Sequence, residues 1–392
     1  MDRMQQERKM SKGRELLLNS TLLVASTIIC LVVAEAGLRF FPVMSGLHAL
    51  PVSKDSSVFR FSPNRDFVFS RDWSFNMINR GHVNNDGWVN NQEYRVSEYP
   101  PLVAVIGDSF IEAQMLPYAQ TFHGLLAKLF EGKLRFYSFG ASGAALSQYL
   151  VWARYAVSKF KARALVINVV GNDFDESRIE YQTSPGFWYY APGDDGELHL
   201  QLVEFHPGVI TALVRHSALL RYLALNLGAV YKFDAIMNWL RGRDGGGHAL
   251  ERYAGFTLAN PSPPRVVASK AAVDAFLRDL GQIGLSPQCI AFTVDGFRYP
   301  DEAVRDAGTF FDIMRPYFLE QASARGFEAI DLDPLFFARY QKTGERFDFF
   351  PIDSSHFNAN GHRVIADALR SSRLLNSDCH FDFRGPTPQA VR

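Results

Sequence analysis

The sequence predicts an α/β fold: a five-stranded parallel sheet, preceded by one transmembrane helix and interrupted by a mainly helical insertion. Three observations predict it. Short apolar runs recur at Leu102–Ile106, Leu134–Phe139, Ala164–Val170, Cys289–Val294 and Phe327–Leu332. Helical patterns alternate with them at Thr121–Phe130, Leu146–Phe160, Ser269–Ile283 and Phe310–Arg325, with a last one at Ala359–Arg370. A longer apolar stretch, Leu16–Leu38, stands ahead of them all.

Taken in chain order, the amino terminus comes first. Leu16–Leu38 is a run of 23 residues without a base, long enough as a helix to cross ~30 Å of hydrocarbon. Arg3, Arg8, Lys9, Lys12 and Arg14 precede it, while only Arg39 and Lys54 follow soon after. That asymmetry keeps residues 1–15 in the cytoplasm and sends the rest outward. Ala34-Glu35-Ala36 also has the small-x-small form of a signal-peptidase site. The apolar stretch before it exceeds the ~7–15 residues of a cleavable signal, which favours a retained anchor over residues 16–38. The expected location is the inner (cytoplasmic) membrane, single-pass, with the following domain on the periplasmic side.

Residues 39–100 are polar and rich in turns, and Asn84-Asn85-Asp86-Gly87 is a hairpin signal. This section is expected to be a connector packed on the domain at 101–375. The first run, Leu102–Ile106, is continuous, not alternating, as a strand buried on both faces requires, and similar runs follow it. Strands alternating with helices imply parallel pairing with right-handed crossovers. Between Asp173 and Ser269 lie too many residues for a loop, so 174–268 is an insertion. It opens on Phe187-Trp188-Tyr189-Tyr190, either a sugar-stacking platform or a hydrophobic hairpin holding the insertion to the core, the second being favoured. Val209–Leu240 follows as a packed amphipathic helix pair, with a membrane-resting surface as the alternative. Gly245-Gly246-Gly247 and Asn260-Pro261-Ser262-Pro263-Pro264 read as a flexible return, and 376–392 as a tail.

Composition excludes some functions. Lys+Arg and Asp+Glu balance at 41 each, so no overall field draws the chain to nucleic acid. Three cysteines show no metal-ligand spacing. Cys30 lies in the apolar run, facing core or lipid; Cys289 and Cys379 pair if the domain is exported, and two free thiols fit equally. No Gly-x-Ser-x-Gly elbow and no glycine-rich phosphate loop occurs, and nothing calls for a cofactor.

The chemistry-bearing residues stand at strand ends. The first strand runs into Gly107-Asp108-Ser109-Phe110, where open α/β sheets bind ligands and free N–H groups favour negative charge. Ser138-Phe139-Gly140-Ala141-Ser142-Gly143 follows the second strand and Gly171-Asn172-Asp173 the third. Asp353-Ser354-Ser355-His356 lies near the carboxyl terminus. Parallel strands bring three of these groups to one edge. His362 reads as a packed histidine, and His199, His206, His216 and His248 lack acidic partners at ligand spacing.

Over residues 102–173 and 289–370 the chain resembles the SGNH (GDSL-type) hydrolase superfamily. The resemblance implies a three-layer α/β/α, flavodoxin-like fold. It also implies a catalytic set: Ser109 as nucleophile, His356 as base and Asp353 to orient it. The implied oxyanion hole is the Ser109 N–H, the Gly143 N–H and the Asn172 side-chain amide, with Gly140 a rival to Gly143. Two positions depart from the pattern: Ser138 stands where an asparagine is common, and Phe357 where a proline is. No metal or cofactor is implied. The expected activity is removal of O-acyl groups, acetyl above all, from an extracytoplasmic glycan or lipid-linked sugar. One alternative is transfer of the acyl group to a polysaccharide alongside a membrane partner that exports the donor. Another is a non-catalytic glycan-binding or assembly protein on the same scaffold.

Overall fold

The computed structural model describes residues 2–228 and 252–379, together with Phe381. The helical reading beyond residue 228, the glycine run 245–247, His248 and the tail after Phe381 lie outside the described residues. The chain forms two compact units, 1–46 with 68–78 and 208–243, and 47–67 with 79–207 and 244–392.

The smaller unit is organised by α1, Asp2–Leu38. Its Arg14–Leu38 portion is long and apolar enough to cross a membrane. The hydroxyls of Thr21, Ser26 and Thr27 donate back to the helix's own carbonyls at 2.8–2.9 Å, so they cost little in hydrocarbon. Cys30 is a free, outward-facing thiol on this helix. One turn before the helix ends, the Glu35 carboxylate accepts from Ser217 Oγ at 2.7 Å, Ala218 N at 3.0 Å and Leu219 N at 2.8 Å. Those donors open the short helix Ala218–Arg221, whose first N–H groups have no partner within the helix.

The larger unit holds a parallel sheet of five strands: β1 Leu102–Gly107, β2 Arg135–Gly140, β3 Ala162–Val169, β4 Ile290–Val294 and β5 Glu328–Asp331. Their spatial order is 2-1-3-4-5. Chain direction across the sheet therefore reverses at the gap between β1 and β3, a topological switch point where open sheets bind ligands. Every residue of β1 and β4 is buried, which is why these runs are almost wholly apolar, with Thr293 satisfied by Asn168 Nδ2 at 3.0 Å.

Helices cover both faces, completing three layers. On one face lie α3 (Phe122–Leu129), α8 (Asp333–Thr343) and α9 (Ala359–Arg370). Phe122, Leu126, Phe336, Ile365 and Leu369 from these helices share one core with Val103, Val105 and Val166 of the sheet. On the other lie α4 (Leu146–Phe160), α6 (Pro263–Leu280) and α7 (Phe310–Ala324). Phe276 and Phe318 meet Phe292 of β4 there, ring centroids 6.2 and 5.0 Å apart. Two one-turn helices, α2 (Ser109–Glu112) and α5 (Asp173–Glu176), follow β1 and β3 directly.

Strand β2 is an edge, and residues 84–97 cover it. Tyr94 stacks on Tyr137 at 3.9 Å, and its hydroxyl donates to the Ser138 carbonyl at 2.6 Å. The Asn84–Gly87 turn is closed by a bridge between Val83 and Val89, as its residues predict.

Three expectations are corrected. The described part of the insertion is not mainly helical. It contains the hairpins Trp188–Pro192 with Leu198–Leu202 and Tyr253–Ala254 with Thr257–Leu258. The proline-rich return is partly helix: α6 begins at Pro263, six residues before the apolar pattern, because proline is tolerated in a first turn. The helix Val209–His216 is not packed, since none of its residues is buried. The aromatic cluster is the hydrophobic hairpin, with Phe187, Tyr189 and Tyr190 buried. Of the two cysteine readings, pairing is found: Cys289 and Cys379 form a disulfide, Cα atoms 4.8 Å apart.

Candidate active site

The chain leaves β1 through Gly107 and turns at once into α2. Asp108 caps that turn, its Oδ1 accepting from Phe110 N at 2.9 Å. Ser109 is thereby held at the carboxyl end of β1 beside the switch point, 8% exposed. Its Oγ lies 2.9 Å from His356 Nε2, against 3.4 Å from Asp108 Oδ2. The imidazole is the nearer proton acceptor.

Asp353 and His356 sit on the short strand Asp353–Phe357, which pairs antiparallel with Asp348–Phe349. His356 Nδ1 is 2.8 Å from Asp353 Oδ2. The other carboxylate oxygen accepts from the backbone N–H groups of Ser355 and His356 at 2.8 and 3.1 Å. Burial alone would raise the Asp353 pKa; the imidazole and these two N–H groups outweigh it and hold the carboxyl well below the usual carboxylate range. An ionised carboxylate on Nδ1 fixes the tautomer that leaves Nε2 free to take a proton. Phe110 and Phe256 flank the imidazole, ring centroids 4.9 and 5.2 Å away.

Gly143 and Asn172 line the same cleft of about 610 Å³ as Ser109 and His356. Gly143 has φ +82°, a conformation costly for any residue with a Cβ. Gly140 does not line the cleft; it ends β2 packed against Ile111. The structure therefore brings together Ser109, Gly143, Asn172, Asp353 and His356. Ser138 accepts from Asn90 Nδ2 at 2.8 Å, supporting the β2 edge instead of reaching the cleft. Phe357 is buried against Phe110, with the Arg298 guanidinium 4.3 Å above its ring.

Several cleft residues escaped the sequence reading. Asn172 Nδ2 donates to Glu176 Oε2 at 2.9 Å, and Asn172 Oδ1 is buried without a donor among the described residues. The i,i+4 spacing of these two residues was the available signal. Burial pushes the Glu176 carboxyl up to about 7. The Asp108 carboxyl is also pushed up to about 7, first by burial and then by the nearby Glu176 charge. Arg298 is buried against Asp295 at 3.0 Å, and the insertion's last hairpin brings Tyr253 and Phe256 into the cleft wall. Nothing local in the sequence connects that hairpin to the strand ends.

The remaining histidines divide. His362 is a packed histidine, as expected: burial holds its pKa far below the ordinary value, and Nδ1 accepts from Phe122 N at 3.2 Å. His199 and His206 do have acidic partners, Asp195 at 2.9 Å and Glu204 at 3.5 Å, because loop and strand-end geometry closes spacings that look unfavourable in sequence. Both are exposed and neither lines the cleft.

No protein-family model matches the sequence, and no curated protein matches it. Among solved structures, the chain is similar to LAE5, an α/β hydrolase enzyme from the metagenome of Lake Arreo, Spain. The identity is 15%, the TM-score 0.39, and the match covers 71% of this chain and 97% of that one. A member of the lipolytic G-D-S-L family from Veillonella parvula gives 12% identity and a TM-score of 0.35, covering 69% and 96%. Axe2, an acetylxylan esterase from Geobacillus stearothermophilus, gives 11% and 0.37, covering 73% and 97%.

Proposed function

We propose that the protein is a membrane-anchored SGNH-type serine esterase that removes short O-acyl groups, acetyl above all, from an extracytoplasmic glycan or lipid-linked sugar. The observation that carries this reading is the unbroken relay Ser109 Oγ–His356 Nε2 at 2.9 Å and His356 Nδ1–Asp353 Oδ2 at 2.8 Å. In the proposed mechanism Ser109 Oγ attacks the ester carbonyl as His356 Nε2 takes its proton. Asp353 stabilises the imidazolium and keeps the ring oriented. The Ser109 and Gly143 N–H groups and Asn172 Nδ2 receive the oxyanion. His356 returns the proton to the leaving alcohol. Water, activated by the same imidazole, then cleaves the acyl-serine.

The cleft wall supports a polyhydroxylated substrate over a long acyl chain. Glu176, Gln182, Asp295, Arg298 and Arg305 offer donors and acceptors, and Tyr253 adds an exposed aromatic face. The anchor and the Cys289–Cys379 bridge support an oxidising, extracytoplasmic setting.

The test is p-nitrophenyl acetate turnover by the full chain in detergent, beside Ser109→Ala and His356→Ala. Wild-type turnover with both variants at background is the expected result. Absence of turnover, together with absence of fluorophosphonate labelling at Ser109, would sink the esterase reading in favour of a binding protein. Turnover that accelerates on adding a glycan acceptor, with acyl groups recovered on the glycan, would mark a transferase.

A further inference from the structure

The smaller unit carries an apolar surface that the described residues leave exposed. In the helix Val209–His216, Val209, Ile210 and Leu213 are 77%, 78% and 57% exposed. These are positions i, i+1 and i+4, which share one side of a helix. Leu220, Leu223 and Leu225 continue the exposure through the next turns, Ala218–Asn226. Exposed apolar side chains scattered singly need no explanation, but three gathered on one side of a short helix do.

Two features of the same unit indicate what covers it. The first is the joint to α1. Glu35 receives the Ser217 hydroxyl and the N–H groups of Ala218 and Leu219. It lies three residues before the end of the membrane-length helix, which is about 4.5 Å along the axis. The exposed helices are thus pinned at the level where a spanning segment leaves hydrocarbon. The second is an aromatic collar. Phe41 stacks on Phe75 at 5.6 Å, Phe75 meets Tyr222 at 5.4 Å, and the Tyr222 hydroxyl donates to the Trp73 carbonyl at 3.0 Å. Phe40 and Trp73 are exposed. Aromatic rings gather at the headgroup level because they pair an apolar body with a polar edge. Arg39 pairs with Glu35 at 2.9 Å and is largely exposed, so its guanidinium can also meet a phosphate at this level.

We infer that residues 209–226 form an interfacial element that lies in the outer surface of the phospholipid bilayer, with Val209, Ile210 and Leu213 among the acyl chains. The protein then holds the membrane twice, by a spanning helix and by a helix lying flat beside its exit. This inference rests on reading α1 as a membrane span.

The test uses the full chain with Cys30→Ser, reconstituted in vesicles of phosphatidylcholine and phosphatidylglycerol. An environment-sensitive fluorophore is placed in turn on Ile210→Cys, Leu213→Cys, Leu31→Cys and Lys342→Cys. Lys342 is an exposed position on α8 that serves as the wet baseline. At Ile210 and Leu213 the emission is expected to shift to the blue and to be lost to a lipid nitroxide near the headgroup. At Leu31 it is expected to be lost to a nitroxide deep in the acyl chain. Quenching at Leu31 with Ile210 and Leu213 both indistinguishable from Lys342 would overturn the interfacial element and leave the anchor standing. A protein partner covering this face would also give that result in pure lipid. Absence of quenching at Leu31 would overturn the anchor reading, and the interfacial element with it.

Discussion

Asn172 gives one of its two amide protons to Glu176, at 2.9 Å, one helical turn further along the chain. The bond fixes the plane of the amide, so the second proton has a defined direction before any substrate arrives. Glu176 is in this sense a positioning residue for the proposed oxyanion donor. Asn172→Ala should lower kcat by about 10²–10³. Glu176→Ala should lower it by less, with KM little changed, because the amide is freed but not removed. Glu176→Gln keeps an acceptor at the same place and should restore most of the rate. If Glu176→Gln is as impaired as Glu176→Ala, the carboxylate acts in some other way.

Asp353→Asn tests the base from behind. The substitution keeps the shape but removes the charge and offers an N–H where Nδ1–H needs an acceptor, so the wrong tautomer is favoured. In serine hydrolases of this logic the loss is on the order of 10⁴ in kcat. Steady-state kinetics on p-nitrophenyl acetate would show it, and a loss below tenfold would mean that Asp353 does not govern the imidazole.

Stability should fall as pH rises toward 8. The Asp108 and Glu176 carboxyls are each pushed up to about 7 in the folded protein, against about 4 in an unfolded chain. Between those values the native state binds more protons, so its stability contribution is complete below about pH 4 and declines through pH 7. Asp353, held in the opposite direction, loses its contribution only at more acid pH. The melting temperature of the double variant Asp108→Asn/Glu176→Gln should therefore vary less between pH 5 and pH 8 than that of wild type. Parallel curves would show that these two groups do not set the slope.

Gly171 joins β3 to Asn172 and leaves no room for a side chain. A Cβ there would stand 2.0 Å from the Gly255 carbonyl oxygen and 2.9 Å from the Phe311 ring. The backbone at Gly255 has to retreat, and Phe256, which packs on His356, moves with it. Gly171→Ala should cost roughly 1–3 kcal/mol of stability, the range for overpacking a tight contact. It should also lower kcat, although it adds nothing to the cleft. Denaturant unfolding and kinetics on the same preparation would test the two effects together.

The parts legible in the sequence were those carried by local pattern. The limits of α4 and α9 coincide with the apolar periodicity, and the five runs became the five strands. Strand ends converge in any parallel sheet, so the segments of Ser109, Gly140–Gly143 and Asn172 could be placed at one edge before any coordinates, while the choice of Gly143 over Gly140 came from the resemblance alone. Helix α8 stands where no helical pattern was named; it begins at Asp333-Pro334, where a proline is tolerated in the first turn. The pairing of Cys289 with Cys379, 90 residues apart, was undecidable because spacing says nothing about distance in a fold. Tyr253 and Phe256 were invisible for the same reason: their place in the cleft wall depends on how the insertion returns.

Glu35 occupies the centre of Ala34-Glu35-Ala36, the motif that a leader peptidase would read. Removal of the leader after Ala36 would discard the acceptor for Ser217, Ala218 and Leu219, three donors left facing nothing. A chain cut there would lose the joint together with the leader. The amino-terminal peptide recovered from membranes should accordingly begin upstream of Ala36; a mature terminus at Gly37 would show that the joint is dispensable.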